Sequence, residues 1–345
     1  MIPKKVFKLY ACCIPVKGHR RAVIVDSQRN DLFYIPLGMY DLLENHTHKT
    51  KEEIIVEFGH HKDIIEEYFE FLEKNELGFW TDQPEKFPKI EMQWDYPAQI
   101  TNAIIDVDSN SSYDFDKAIT QLDALGCGDI LIRHYSPITL DDLIERFKIF
   151  EGTRIECIDL MIPNINLDIE AACLFAKKNI RIRSLMLTSS DKDKHLQRTR
   201  DDMGNVYLTK NIVDNAVYKD TTKITPDSFV FNVKMISESM HHNNYLNRKV
   251  TIDKDGFIKN TPSFKNHFGN INDIDLNSVI NNPKFQKYWS VTKDQVEVCK
   301  DCEFRYNCLS YVENESEIYS APKRCNYNPY ESQWKSKPET LIANN

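Results

Sequence analysis

Near the N-terminus the apolar positions come in short strand-like runs, at 6–16, 21–26 and 32–36. Lys17-Gly18-His19 and residues 27–31 separate them as turn signals. The period then lengthens to that of a helix. One candidate covers 37–45. A second opens at Thr50 with Glu53 three residues on, the reciprocal pattern of a capping box. In a third, over 63–75, Ile64, Ile65, Tyr68, Phe69 and Leu72 share one face before Gly78 ends it. A three-stranded meander followed by three helices predicts a winged-helix-like unit over 1–85.

A linker over 86–98, with Pro88 and Pro97, precedes a change of period. Apolar strands at 100–107, 129–133, 154–162 and 180–188 alternate with helical stretches at 114–125, 139–150 and 167–178. A polar helix-like stretch at 191–200 follows, then strands at Asn205–Leu208 and 228–235. Such alternation predicts βα units and a parallel sheet. Six or so strands suit a partial (βα)6 TIM-like barrel over 98–235 rather than a closed ring of eight. Over 236–345 the character changes again. Residues 248–252 and 257–259 flank Asp255-Gly256 as a hairpin, a helix is expected around 278–288, and aromatics gather at 327–334. The fold class is α/β in three parts.

The chain has 345 residues, 41% hydrophobic and 28% charged, enough for sizeable cores in two or three domains. Its 52 acidic and 44 basic residues leave a net charge of −8, which argues against a nucleic-acid binder. The third helix strengthens that exclusion, because Glu66, Glu67, Glu70 and Glu73 would repel phosphate. A peptide suits this unit better. It would extend the sheet beside Leu32, Phe33, Tyr34 and Ile35, and lay apolar side chains against Ile65, Tyr68, Phe69 and Leu72. No apolar run reaches about 18 residues and no signal peptide is evident, so the expectation is a cytoplasmic chain without a membrane partner. Ten glycines and no glycine-rich phosphate loop leave a nucleotide motif without support. At the strand ends Asp106, Asp108, Arg133 and His134 are candidates for chemistry, although capping and solvation explain them as well.

The cysteines carry more. Cys127, Cys157 and Cys173 lie in apolar surroundings and suit packing. Cys12 and Cys13 are vicinal in a strand-like run, which would turn them to opposite faces and make them poor co-ligands. The other four read Cys299-x2-Cys302-x5-Cys308-x16-Cys325 within a polar, loop-like stretch. A C-x2-C pair puts two thiolates on one turn, and two further cysteines complete a four-thiolate set for a metal ion or an iron–sulfur cluster.

The segment from Cys299 to Cys308 with Cys325 resembles the SPASM domain of radical-SAM peptide maturases. The hairpin with Gly256, the Gly269-Asn270-Ile271 turn and residues 285–289 share the likeness. It extends along nearly the whole chain and comes near the maturases of grasp-with-spasm systems. The resemblance implies a peptide-recognition element at the N-terminus, a precursor peptide as ligand and an ATP-grasp ligase as partner. It also implies a [4Fe–4S] cluster on Cys299, Cys302, Cys308 and Cys325; by donor chemistry alone, zinc suits the same set. Two departures matter. The loop from Asp108 to Asp114 has none of the three cysteines, C-x3-C-x2-C, that hold a radical-SAM cluster, so S-adenosylmethionine is not expected. Thr261 and Val312 stand where a second auxiliary cluster would need cysteines. Two functions stay open: a maturation accessory, or a peptide-modifying enzyme working at the barrel mouth.

Overall fold

The computed structural model describes residues 4–197, 204–210, 224–309, 312 and 314–335. In the N-terminal part, β1 (Val6–Leu9), β2 (Cys13–Lys17), β3 (Ala22–Asp26) and β4 (Asp31–Ile35) precede α1 (Leu37–Asn45), α2 (Lys51–Phe58), α3 (Lys62–Lys74) and β5 (Gly78–Thr81). Strands β2, β3 and β4 form the expected antiparallel meander, and β1 leaves it to pair with β5. The capping box at α2 forms in full: Glu53 N–H reaches the Thr50 hydroxyl, and the Thr50 N–H reaches the Glu53 carboxylate. Alternation divides the meander. Ala22, Ile24 and Ile35 face the helices with Phe7, Ile65, Phe69 and Leu72. Val16, Val23 and Val25 face Phe304 and Tyr327 of the C-terminal part.

Then come β6 (Asn102–Val107), α4 (Phe115–Ala124), β7 (Asp129–His134), α5 (Leu140–Phe147), β8 (Cys157–Pro163), α6 (Ile169–Lys178), β9 (Ile182–Thr188), β10 (Lys194–Gln197) and β11 (Asn205–Leu208). After them lie α7 (Val233–His241), β12 (Lys249–Ile252), β13 (Ile258–Lys259), α8 (Leu276–Ile280), α9 (Pro283–Gln286), β14 (Tyr327–Asn328) and β15 (Gln333–Trp334). The large sheet runs β10-β11-β9-β8-β7-β6-β12-β13, with parallel pairing from β11 through β12 and an antiparallel strand at each edge. The chain is therefore a mixed α/β protein built on a large, mostly parallel sheet.

The hairpin of 248–259 was expected in the C-terminal part. Its first strand lies in register beside β6, Lys249 opposite Asn102, and extends the sheet. Asp253 shapes the turn, and Gly256 adopts φ +84, where a Cβ would strike Asn270 and Tyr113.

Three expected elements differ. The sequence predicts a helix-like stretch over 191–200, but 194–197 form an edge strand on β11, where His195 stacks on Tyr207 at 4.1 Å. Pairing supplies there the backbone hydrogen bonds that a short polar helix would leave frayed; positions 198–200 lie outside the described residues. Residues 228–235 were read as a strand, yet Asn232 caps α7 through the Met235 N–H, so the second half turns helical. The helix expected around 278–288 splits into α8 and α9, because Pro283 bars Asn282 from helical geometry and starts a new first turn.

One face of the sheet is covered. Ile105, Ile132, Leu160 and Leu187 pack under Ile119 of α4, Leu143 of α5, Phe175 of α6 and Phe285 of α9. On the other face Ile104, Leu131, Asp159, Ser184 and Met186 are half-buried and leave it partly open, whereas Asp106, Arg133, Met161 and Thr251 are buried there.

Candidate metal centre and recognition surface

The four clustered cysteines come together. Cys299, Cys302, Cys308 and Cys325 line one small, chiefly apolar cavity of about 60 Å³ with Ile224, Phe229, Phe304 and Trp334. Local turns aim the first three: the Cys302 N–H bonds the Cys299 carbonyl at 3.0 Å, and the Cys308 N–H bonds the Phe304 carbonyl at 3.0 Å. The Phe304 N–H points at the Cys302 sulfur at 3.4 Å, a donor that favours thiolate. Distant chain also fixes the last two. Phe229 bridges to Cys308 and Ile224 bridges to Cys325, so the segment that follows the parallel strands clamps the cysteine loop. Val298, just before Cys299, holds φ +65, an unfavourable value for a β-branched residue that costs about 1–3 kcal/mol and persists only where surroundings impose it.

Burial pushes all four thiols up, Cys299 to about 12, and the Lys293 ammonium pulls against that at Cys299, Cys308 and Cys325. Thiols in this state are inert as nucleophiles and become thiolates when a metal displaces their protons. The donor set fits a four-thiolate centre. Its spacing discriminates further: among the described residues, the group of three or more donor side chains within 4.8 Å of one another is Cys12, Cys13 and Asp26, and the four-cysteine set is more widely spread.

That tighter group corrects the expectation for Cys12 and Cys13. Cys12 sits in the turn ahead of β2, so strand alternation does not separate the two sulfurs. Asp26 is nevertheless engaged: it accepts the Gln28 and Arg29 N–H groups at 2.9 Å each and the Arg29 guanidinium at 2.5 Å. Cys127 is fully buried as expected, whereas Cys157 and Cys173 are only half-buried.

The cysteine loop is docked on the N-terminal meander. Glu303, between Cys302 and Phe304, is 0% exposed and receives the Arg21 guanidinium at 2.7 Å and the Tyr327 hydroxyl. Arg21 also lies over the Tyr34 ring, 3.9 Å from its centroid. The His19 N–H bonds the Asp301 carbonyl at 2.8 Å, and Arg305 reaches the Lys17 carbonyl. Any Cβ on Gly18 would meet Glu303 at 2.9 Å, so the turn approaches as closely as glycine allows. Sequence reasoning missed Arg21, Glu303 and Lys293, and no local pattern marks them.

The peptide-binding candidates separate into two groups. Ile35, Ile65, Phe69 and Leu72 are buried in the core of the N-terminal part and offer no surface, because the same apolar stripe that suggested a ligand is what packs α3 on the sheet. Leu32, Phe33 and Tyr68 are half-buried, and Tyr34 is 51% exposed. Arg29, ahead of β4, donates to the Asn75 and Glu76 carbonyls past the end of α3, and the Tyr68 hydroxyl lies against Gly38 beyond the other end of β4. Among the described residues no strand pairs with the outer edge of β4.

The strand-end candidates do not converge. Asp106 and Arg133 face each other in register and form a buried bidentate pair at 2.6 and 2.7 Å. His134, one residue on, points to the other face, as strand alternation requires. Asp108 organises its own loop, accepting the Asn110 N–H at 2.7 Å. These strand ends border an open cleft of about 830 Å³ lined by Asp108, His134, Asp142 and Arg146. A further residue stands on the open face: Lys249 lies 3.7 Å from the Tyr245 ring centroid, and burial, aided by Arg133, pushes its amine down to about 7.

Burial and the nearby Arg146 hold His134 neutral, its pKa lowered to about 3. The unfolded chain takes up that proton near pH 6.5, so the contribution is intact above 6.5 and declines as pH falls toward 3. Between pH 7.5 and 5, wild type should lose about 2 kcal/mol more stability than His134→Gln. Urea midpoints at the two pH values check this, and equal losses would mean His134 protonates freely.

No protein-family model matches the chain, and no curated protein matches it. Among solved structures it is similar to SuiB of Streptococcus suis bound to S-adenosylmethionine, at 10% identity over 93% of this chain and 98% of that one, with a TM-score of 0.37.

Proposed function

We propose that this chain is an accessory of ribosomal-peptide maturation. It binds the leader of a precursor peptide on a winged-helix-like N-terminal unit and acts with an ATP-grasp ligase. A partial-barrel unit joins that element to a SPASM-like domain pinned by one [4Fe–4S] cluster, without a radical-SAM cluster. The observation that carries this is the docking of the meander on the cysteine loop through Arg21, Glu303 and Tyr327, which makes the open β4 edge and the metal loop one surface.

A cluster is favoured over zinc by spacing. One tetrahedral zinc holds its sulfurs about 3.8 Å apart, given Zn–S bonds of about 2.3 Å. The four cysteines line a cavity of about 60 Å³, and no three of their sulfurs lie within 4.8 Å of one another, which suits a larger inorganic core. Bound there, a cluster with all four cysteines engaged would supply a cross-link between loops and a one-electron site. The chain's residues do the rest: the four thiolates hold it, the Phe304 N–H orients Cys302, and Phe229, Phe304 and Trp334 exclude water.

Titrating the full chain with the leader of its precursor tests the accessory role. Saturable binding is expected, weakened about tenfold, or about 1.4 kcal/mol, in Tyr68→Ala; no measurable binding would sink the proposal.

Lys249 favours a second reading, a peptide-modifying enzyme on the open face of the sheet. Burial pushes its amine down to about 7, toward the neutral form that a base or nucleophile needs. Its signature is a change in precursor mass that needs this protein but not the ligase and is lost in Lys249→Met.

A further inference from the structure

Lys293 is a buried cation facing the four cysteines. It occupies the short turn Lys293–Gln295, is 7% exposed and lines the cavity that holds all four thiols. Its ammonium donates to the Asn244 side-chain oxygen at 3.3 Å and to the Cys308 carbonyl. Asn244 is itself fixed, giving its amide to the Cys308 carbonyl at 3.0 Å and to the Ser239 hydroxyl at 2.8 Å. The neighbouring Asp294 is turned away to Arg305 and Tyr306. Among the described residues Lys293 forms no ion pair.

A buried ammonium without a carboxylate is costly, and a nearby anion offsets that cost. Four thiolates around either a dication or a [4Fe–4S] core leave a doubly negative centre. We propose that Lys293 is the charge-compensating residue of this centre, held by Asn244 so that its ammonium offsets the thiolate charge and sets how firmly the metal is retained and how readily it is reduced. This rests on the reading of the four cysteines as a metal centre.

Full-length wild type, Lys293→Met and Lys293→Arg, purified anaerobically, decide both questions. Iron, sulfide and zinc content of wild type tests the centre itself: wild type without metal overturns that reading. With iron present, a dye-mediated redox titration followed by electron paramagnetic resonance tests Lys293. Removing a positive charge disfavours the more negative reduced state. The midpoint in Lys293→Met should therefore fall by about 59 mV, a tenfold shift in the one-electron equilibrium. Lys293→Arg should stay near wild type. If the metal is zinc, chelator-driven release should be about tenfold faster in Lys293→Met. Unchanged midpoint and release overturn the role of Lys293 while the centre stands. Should Lys293→Met fail to fold, rescue by Lys293→Arg supports the charge, and failure of both assigns the residue to packing and overturns the proposal.

Discussion

Replacing Cys302 with serine is expected to empty the four-cysteine centre and unfold the C-terminal part of the chain. Structural four-ligand zinc contributes on the order of 10–16 kcal/mol of coupled folding free energy. A typical domain is stable by only about 5–15 kcal/mol. The residues around the cysteines cannot substitute for that: Cys299–Asp301 is one short turn, and β14 and β15 are two residues each. Elemental analysis and a thermal melt measure both effects. Cys173→Ser, on the half-buried face of α6, serves as control and should change stability by no more than about 1 kcal/mol. Full metal content in Cys302→Ser would show that the ligand set is wrong. Because Glu303 adjoins Cys302 and receives Arg21, the loss should spread to the N-terminal part, seen as faster proteolysis in the 86–98 linker.

Removing the carboxylate of Asp106 should destabilise the sheet by about 3–5 kcal/mol, since it leaves a buried guanidinium uncompensated. Arg133 is 3% exposed and bonds Asp106 through two nitrogens, so relaxation toward water is blocked. Asp106→Ala measured by urea denaturation gives the cost. The double variant Asp106→Leu with Arg133→Met should recover most of it, because the desolvation penalty disappears with both charges. Failure to recover would mean that the pair also holds neighbours, Tyr135 foremost, which interacts with Asp106.

Local pattern made much of this fold legible. The capping box at Thr50 and Glu53, the meander and the βα alternation through residue 188 all depend on interactions within a turn or across adjacent strands. The stretch at 228–235 misled because its apolar residues are spent partly on the bridge to Cys308 and partly on α7. The apolar face of α3 misled for a related reason. Periodicity identifies a face that will be covered but not what covers it, and here the chain's own sheet takes Ile65, Phe69 and Leu72.

By itself the sequence determined the meander, the βα alternation through residue 188, the α/β class and a four-cysteine set with metal-ligand spacing, because each follows from residues near one another along the backbone. Only the tertiary structure decided that Lys249–Ile252 joins the sheet beside β6, that Asp106 and His134 face opposite ways, and that Arg21 meets Glu303. It also placed Lys293 beside the thiols, its ammonium on the Asn244 side-chain oxygen. These contacts join residues as much as 282 positions apart. They are set by how the covered faces pack, and packing pairs surfaces by shape and charge rather than by any period along the chain.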